Sequence, residues 1–225
     1  MTNDNTNPEA SEAVELAMFM DPICPWCYIG YTRAKQAMAL RPDIPVNWNW
    51  YPFQLNPDMP EEGMDRTEYL ENKFGGPQQA KTVYGRIAQA AYADGLKVRL
   101  DNIKRTPNTI NALQLIREAQ YQGLDEEMVT RMFRAYFEES EDIGDIETLK
   151  RLGQEVGVKA LDELFKYNQH KDILKQQDVA ARQMGLTGVP CFLINGKSAL
   201  PGAQSPDAIA SLLDVGWQEI QQGKV

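Results

Sequence analysis

A single histidine, His170, stands in the 225 residues, and that scarcity removes whole mechanisms. A His-Glu-x-x-His zinc site needs two imidazoles. A Ser-His-Asp hydrolase would have to use His170, which sits in the polar run Tyr167-Asn168-Gln169-His170-Lys171-Asp172 and reads as a solvated helix position. The glycine-rich signatures Gly-x-x-x-x-Gly-Lys and Gly-x-Gly-x-x-Gly are missing, as is Gly-x-Ser-x-Gly, so nucleotide and esterase readings have no foothold. Positive charge is short as well. Lys plus Arg total 23 against 32 Asp plus Glu, a net −9, which argues against nucleic acid or anionic membrane as partner. No apolar run approaches the ~18 residues that span a bilayer. Residues 1–15 carry Asp4, Glu9, Glu12 and Glu15 and no Lys or Arg, so the basic start of a secretory signal is lacking. The expectation is a cytoplasmic protein whose thiols stay reduced, with residues 1–12 a flexible leader.

What is present is ordinary globular composition, with 43% hydrophobic and 24% charged residues, on a length that can bury a core without disulfide staples. Val14–Met20 is a short apolar run ending at Asp21-Pro22 and reads as a buried strand. A helix follows to about Leu40, with Pro25 as its first residue. Pro45–Phe53 alternates Val46, Trp48 and Trp50 on one side, a second strand, completing a strand–helix–strand unit. From about Thr67 to Gly185 the pattern is helical throughout. Pro77–Ala93 carries an apolar stripe, Thr106-Pro107 opens a helix ending near Gly123, Asp125 starts another, and Asp145–Gly157 and Ala160–Gly185 supply two more. The tail returns to a strand over Gly188–Ile194 that turns at Asn195-Gly196, a partner strand at Ser198–Ala203, and a terminal helix from Ser205-Pro206 to about Gln221. The domain reading is an α/β core, residues 13–56 plus 186–225, interrupted by a helical insertion at 57–185.

Three cysteines make one pair and a spare. Cys24 and Cys27 frame Pro25-Trp26 at the mouth of the first helix, directly after a buried strand. There, unsatisfied backbone N–H groups and the helix dipole favour a thiolate. Cys24, nearest the open N–H groups, is the expected nucleophile, and Cys27, a turn inside, the resolving thiol. Pro25 stiffens the loop. No acidic residue lies between Asp21 and Asp43, whereas Arg33, Lys35 and Arg41 do. Asp21 is either a turn and cap residue or a proton acceptor for Cys27. Cys191 is either a small buried hydrophobe or a third thiol within reach of Cys24. Trp26 is either an apolar lid over substrate or a bulky spacer.

Asp21-Pro22-Ile23-Cys24-Pro25-Trp26-Cys27-Tyr28-Ile29-Gly30, taken with Gly188-Val189-Pro190, resembles the DsbA-like branch of the thioredoxin superfamily, in particular its FrnE-type members. Tyr51–Pro57, Pro107-Asn108-Thr109, Phe133–Phe137 and Gly202-Ala203-Gln204 extend the resemblance over nearly the whole chain after the leader. It implies an α/β thioredoxin-like fold with a large all-helical insertion. It also implies a cis Val189–Pro190 bond beside the dithiol, where the backbone of Val189 pairs with an extended substrate. Relatives usually have Thr where Cys191 stands and His where Leu113 stands, so no imidazole reaches the site from that helix.

The resulting expectation is a thiol–disulfide oxidoreductase or isomerase acting on protein or small-molecule disulfides, with Pro25, Trp26, Val189 and Pro190 against the substrate. No bound cofactor is expected beyond the redox-active pair; glutathione is a possible co-substrate and a homodimer a possible assembly. Trp26 replaces the histidine found between the cysteines of DsbA, which predicts a less oxidising site. Two alternatives stand beside this. One is a glutathione-dependent transferase or isomerase of the kappa or hydroxychromene-carboxylate type, whose members typically carry Ser where Cys24 stands. The other is a structural zinc site built from Cys24, Cys27, Cys191 and His170.

Overall fold

The computed structural model describes residues 13–224; the expected leader lies outside them. Strand β1 (Val14–Met20) leads through a tight turn into helix α1 (Pro25–Ala39), which returns the chain to β2 (Val46–Pro52). β1 and β2 run parallel, pairing Val14 with Val46 through Met20 with Pro52. The two-residue strand β3 (Met64–Asp65) opens the intervening region. It is followed by α2 (Arg66–Phe74), α3 (Pro77–Ala93), β4 (Arg105–Thr106), α4 (Ile110–Tyr121), α5 (Asp125–Phe137), α6 (Ile146–Val156), α7 (Leu161–Tyr167) and α8 (Lys171–Gln183). The hairpin β5 (Cys191–Ile194) and β6 (Ser198–Pro201) and helix α9 (Pro206–Gln221) close the chain. Four strands lie in the order β2-β1-β5-β6, with β5 antiparallel to both neighbours, while β3 and β4 form a separate small ladder.

The alternation along β1 sorts the core. Leu16, Met18 and Met20 are buried in the main apolar cluster with α1, α4, α5 and α9, whereas Phe19 faces Phe53, Ala181 and Cys191 on the other side. Successive strand residues point to opposite faces, so one seven-residue segment serves both layers. The main cluster runs without a break from the sheet into the helical region. Tyr28 of α1 stacks on Phe133 of α5 at 5.0 Å and on Phe137 at 5.8 Å, and its hydroxyl donates to Glu138 at 3.0 Å. The Asn195-Gly196 turn carries both residues at positive φ, the geometry that favours this pair in a two-residue hairpin.

Three expectations from periodicity are corrected. The helix read as opening at Thr106-Pro107 begins at Ile110. Arg105 and Thr106 are instead held as a strand against Met64 and Asp65, and the Asn108 side chain accepts from the Ile110 N–H. The single helix read over Ala160–Gly185 is two, because Asn168 adopts a left-handed conformation and redirects the chain. His170, expected on a solvated helix face, begins the second of them. It is largely covered, with its Nε2 2.7 Å from Glu118 Oε2.

Candidate active site

β1 ends by delivering Asp21 to the floor of the site. The turn that follows is closed by the Cys24 N–H donating to the Asp21 carbonyl at 2.9 Å. Cys24 is the N-cap of α1 with extended backbone, Pro25 is the first helical residue, and no side-chain hydrogen bond caps this end. Cys24 is 3% exposed, and its thiol lies 3.6 Å from the carbonyl oxygen of Val189. The Val189–Pro190 bond is cis. Close packing brings these two segments together: a Cβ on Gly30 of α1 would sit 2.9 Å from the Pro190 ring, so only glycine fits there.

The two thiols occupy unlike environments. Cys27 is sealed from solvent at 0% exposure. Burial, its hydrogen bond with Cys24 and the charge of that sulfur together hold it well above the usual thiol range. Cys27 is therefore held in its protonated form. Trp26, between them, is 37% exposed and forms part of the rim.

Asp21 lies beneath the dithiol and is fully buried. Burial pushes its carboxyl up to about 6, against hydrogen bonds donated by the backbone N–H groups of Leu55 (2.7 Å) and Ile23 (3.2 Å) and by the Thr109 hydroxyl. Its charge reaches Cys27. Asp21 thus closes the turn, as one of the two sequence readings has it, and its charge acts on the resolving thiol.

Cys191 goes elsewhere. It packs with Phe19, Phe53 and Ala181 on the sheet face opposite the cluster that holds Cys24 and Cys27. The four-ligand zinc alternative fails on the same geometry. His170 is engaged with Glu118, Cys191 is across the sheet, and among the described residues no three His, Cys, Asp or Glu side chains gather as a metal site. Leu113 fills the core beside Met20 and Trp50.

Sequence reasoning missed the other wall of the site. A cavity of about 230 Å³ opens between Cys24, Trp26 and Val189 on one side and α2 and α3 on the other. α2 lines it with Arg66, Tyr69 and Lys73, and α3 with Tyr84. The spacing of Arg66, Tyr69 and Lys73 does place them on one helix face. Nothing local, however, shows that this face meets a cysteine forty residues earlier.

Comparison with known proteins agrees with this geometry. The family model for the DSBA-like thioredoxin domain matches residues 15–214. The uncharacterized protein YwbO of Bacillus subtilis is 27% identical over 197 residues, 86% of this chain and 92% of its own. The crystal structure of a probable DsbA oxidoreductase from Streptomyces coelicolor, SCO1869, superposes with a TM-score of 0.83 at 24% identity, covering 92% of this chain and 91% of that one. The cytosolic disulfide reductase DsbM of Pseudomonas aeruginosa, solved with GSH, superposes with a TM-score of 0.62 at 20% identity, covering 91% and 99%. At these identities the two structures establish a shared fold.

Proposed function

The chain belongs to the DSBA-like thioredoxin family, and on that premise we propose that it is a thiol–disulfide oxidoreductase with Cys24 as nucleophile and Cys27 as resolving thiol. The observation that carries this reading is the asymmetry of the pair. Cys24 caps a helix N-terminus and borders a cavity, while Cys27 is wholly enclosed one turn inside.

In the first step the Cys24 thiolate attacks one sulfur of the substrate disulfide. A Cys24–substrate disulfide forms, the substrate S–S bond breaks, and the departing thiolate takes a proton from solvent. In the second step Asp21 as carboxylate accepts the Cys27 proton. The Cys27 thiolate then attacks Cys24, releasing the second substrate thiol and leaving a Cys24–Cys27 disulfide. Two electrons pass from protein to substrate, and two molecules of a thiol such as glutathione return them to the protein, leaving as their own disulfide. The Val189 carbonyl and Trp26 border the position of the mixed disulfide, which supports their role in holding substrate. Cys191, across the sheet, takes no part.

A cytoplasmic setting, which is that of the Pseudomonas aeruginosa reductase, favours reduction or isomerisation over net oxidation, since cytosolic glutathione keeps uncovered dithiols largely reduced. Trp26 in place of a histidine leaves no imidazolium to stabilise the thiolate. The potential should therefore fall well below the roughly −120 mV of DsbA. The test is a titration of the purified protein in glutathione redox buffers, read by thiol alkylation and intact mass, with Cys191→Ala alongside. Reversible formation of one Cys24–Cys27 disulfide in both proteins is expected. A stable glutathione adduct with no internal disulfide would turn the reading to the transferase alternative.

A further inference from the structure

Cations in this acidic chain are generally paired where they are covered. Arg33 meets Asp94 at 2.7 Å, Arg131 meets Glu139 at 2.8 Å and Glu155 at 2.7 Å, and Arg182 meets Asp178 at 2.8 Å. Arg66 does not follow the pattern. It is 4% exposed, and among the described residues no carboxylate lies within ion-pair distance of it. Its Nη1 donates to Thr106 Oγ1 at 3.0 Å and its Nη2 to the Tyr84 hydroxyl at 2.5 Å. The rings of Tyr84, Tyr69 and Tyr136 stand 5.1, 5.7 and 5.9 Å from its guanidinium carbon. Those faces attract a cation but supply no counter-charge. Its Nε is buried and has no acceptor among the described residues. A guanidinium has only donors to offer, and burying one unmade is costly unless a ligand completes it.

Lys73 lies on the same face of α2, donating to the Tyr69 hydroxyl at 2.5 Å, and it too has no carboxylate partner among the described residues. Both cations line the cavity that opens on Cys24. Tyr84 ties the two ends together. Its phenol is pushed up to about 12, chiefly by burial, with Arg66 pulling it down and the charge of Cys24 raising it, so all three share one neighbourhood.

We propose that this cavity is a subsite for a carboxylate carried by the substrate: Arg66, aided by Lys73, receives the carboxylate while the adjoining disulfide is presented to Cys24. The inference rests on the oxidoreductase reading above and narrows its substrate class to small disulfides with a carboxylate near the S–S bond. Arg is suited to the task because its planar fork of donors matches a carboxylate. The cavity's size, about 230 Å³, fits a small acid rather than a folded protein surface.

The test compares three reagents on the reduced full-length protein: 3,3′-dithiodipropionate with two carboxylates, neutral 2-hydroxyethyl disulfide, and cystamine with two ammoniums. Formation of the Cys24–Cys27 disulfide is followed by acid quench, alkylation and intact mass. Each rate is divided by that reagent's rate with free dithiothreitol, which removes intrinsic reactivity. The expected order is dianion, neutral, dication. The first two should differ by about tenfold, equivalent to about 1.4 kcal/mol, and the gap should narrow as salt rises from about 20 to about 500 mM. Arg66→Gln should lower the dianion-to-neutral ratio by about tenfold and Arg66→Lys by less. Lys73→Gln, an exposed change that spares the core, should lower it about twofold to threefold. Equal normalised rates in the unaltered protein would overturn the subsite, as would a ratio unmoved by both Gln variants. A loss equal for all three reagents would assign Arg66 to the thiolate or the fold and overturn it equally. Failure of every reagent to form the Cys24–Cys27 disulfide would instead overturn the oxidoreductase reading itself.

Discussion

Asp21 is the residue whose ionisation links the site to the stability of the whole. Its carboxyl titrates near 6 when folded and near 3.8 when free, so between those values the native state holds a proton that the unfolded chain has lost. Its contribution is fully present below about pH 4 and declines as pH rises through about 6, by on the order of 2–3 kcal/mol. Asp21→Asn should flatten the fall in denaturation midpoint between pH 4 and pH 7; an unchanged slope would remove Asp21 as its source. The same variant should slow the second step of exchange and erase its rise with pH through about 6, as measured by single-turnover release of substrate thiol. Cys27→Ser should stall the reaction one step earlier, with a covalent Cys24–substrate adduct accumulating in the intact mass spectrum. An adduct that still cleared at the unaltered rate would reassign the resolving thiol.

At the scale of elements, α1 carries most of the site. Its N-terminus presents the dithiol, and its buried face (Cys27, Tyr28, Tyr31, Ala34 and Ala37) docks it on the core. At Gly30 it lies against the Pro190 ring with no room for a methyl group. Gly30→Ala should therefore separate α1 from the Val189–Pro190 segment, costing about 1–3 kcal/mol as overpacking does. Exchange activity should fall by a larger factor than that of a distant variant of equal stability, because the Cys24 to Val189 contact at 3.6 Å depends on this approach. Denaturation curves paired with rate measurements would decide it; equal losses in the two variants would refute a positioning role for Gly30.

At the scale of the molecule, the apolar cluster makes no distinction between the thioredoxin-like sheet and the helices that interrupt it. Phe133 is fully buried in the helical region and stacks on Tyr28, one residue from Cys27. Truncation to Phe133→Ala should cost about 3–5 kcal/mol. Because the core is shared, unfolding should remain one transition in which tryptophan fluorescence and far-UV circular dichroism coincide. Two separated transitions would show that the helical region melts independently.

Much of this was readable along the chain, because its causes are local. The strand over Val14–Met20, the proline-started helix with its dithiol, the Asn195-Gly196 turn and the helix after Ser205 each follow from periodicity, φ restriction or a cap within a few residues. The Cys-Pro-Trp-Cys run with a distant Val-Pro also marked the family. What the sequence left open depended on partners far away in it. Whether Arg105-Thr106 begins a helix depends on Met64-Asp65 being there to pair with it, and the break at Asn168 is not legible in the polar run that holds it. Which face of the sheet receives Cys191 is decided by the register of β5 against β1, and the same distance hid Arg66. A buried arginine lacking a carboxylate, set across a cavity from a cysteine on another helix, is an arrangement of three dimensions. Burial and charge pairing depend on long-range contacts, and those exist only once the chain has folded.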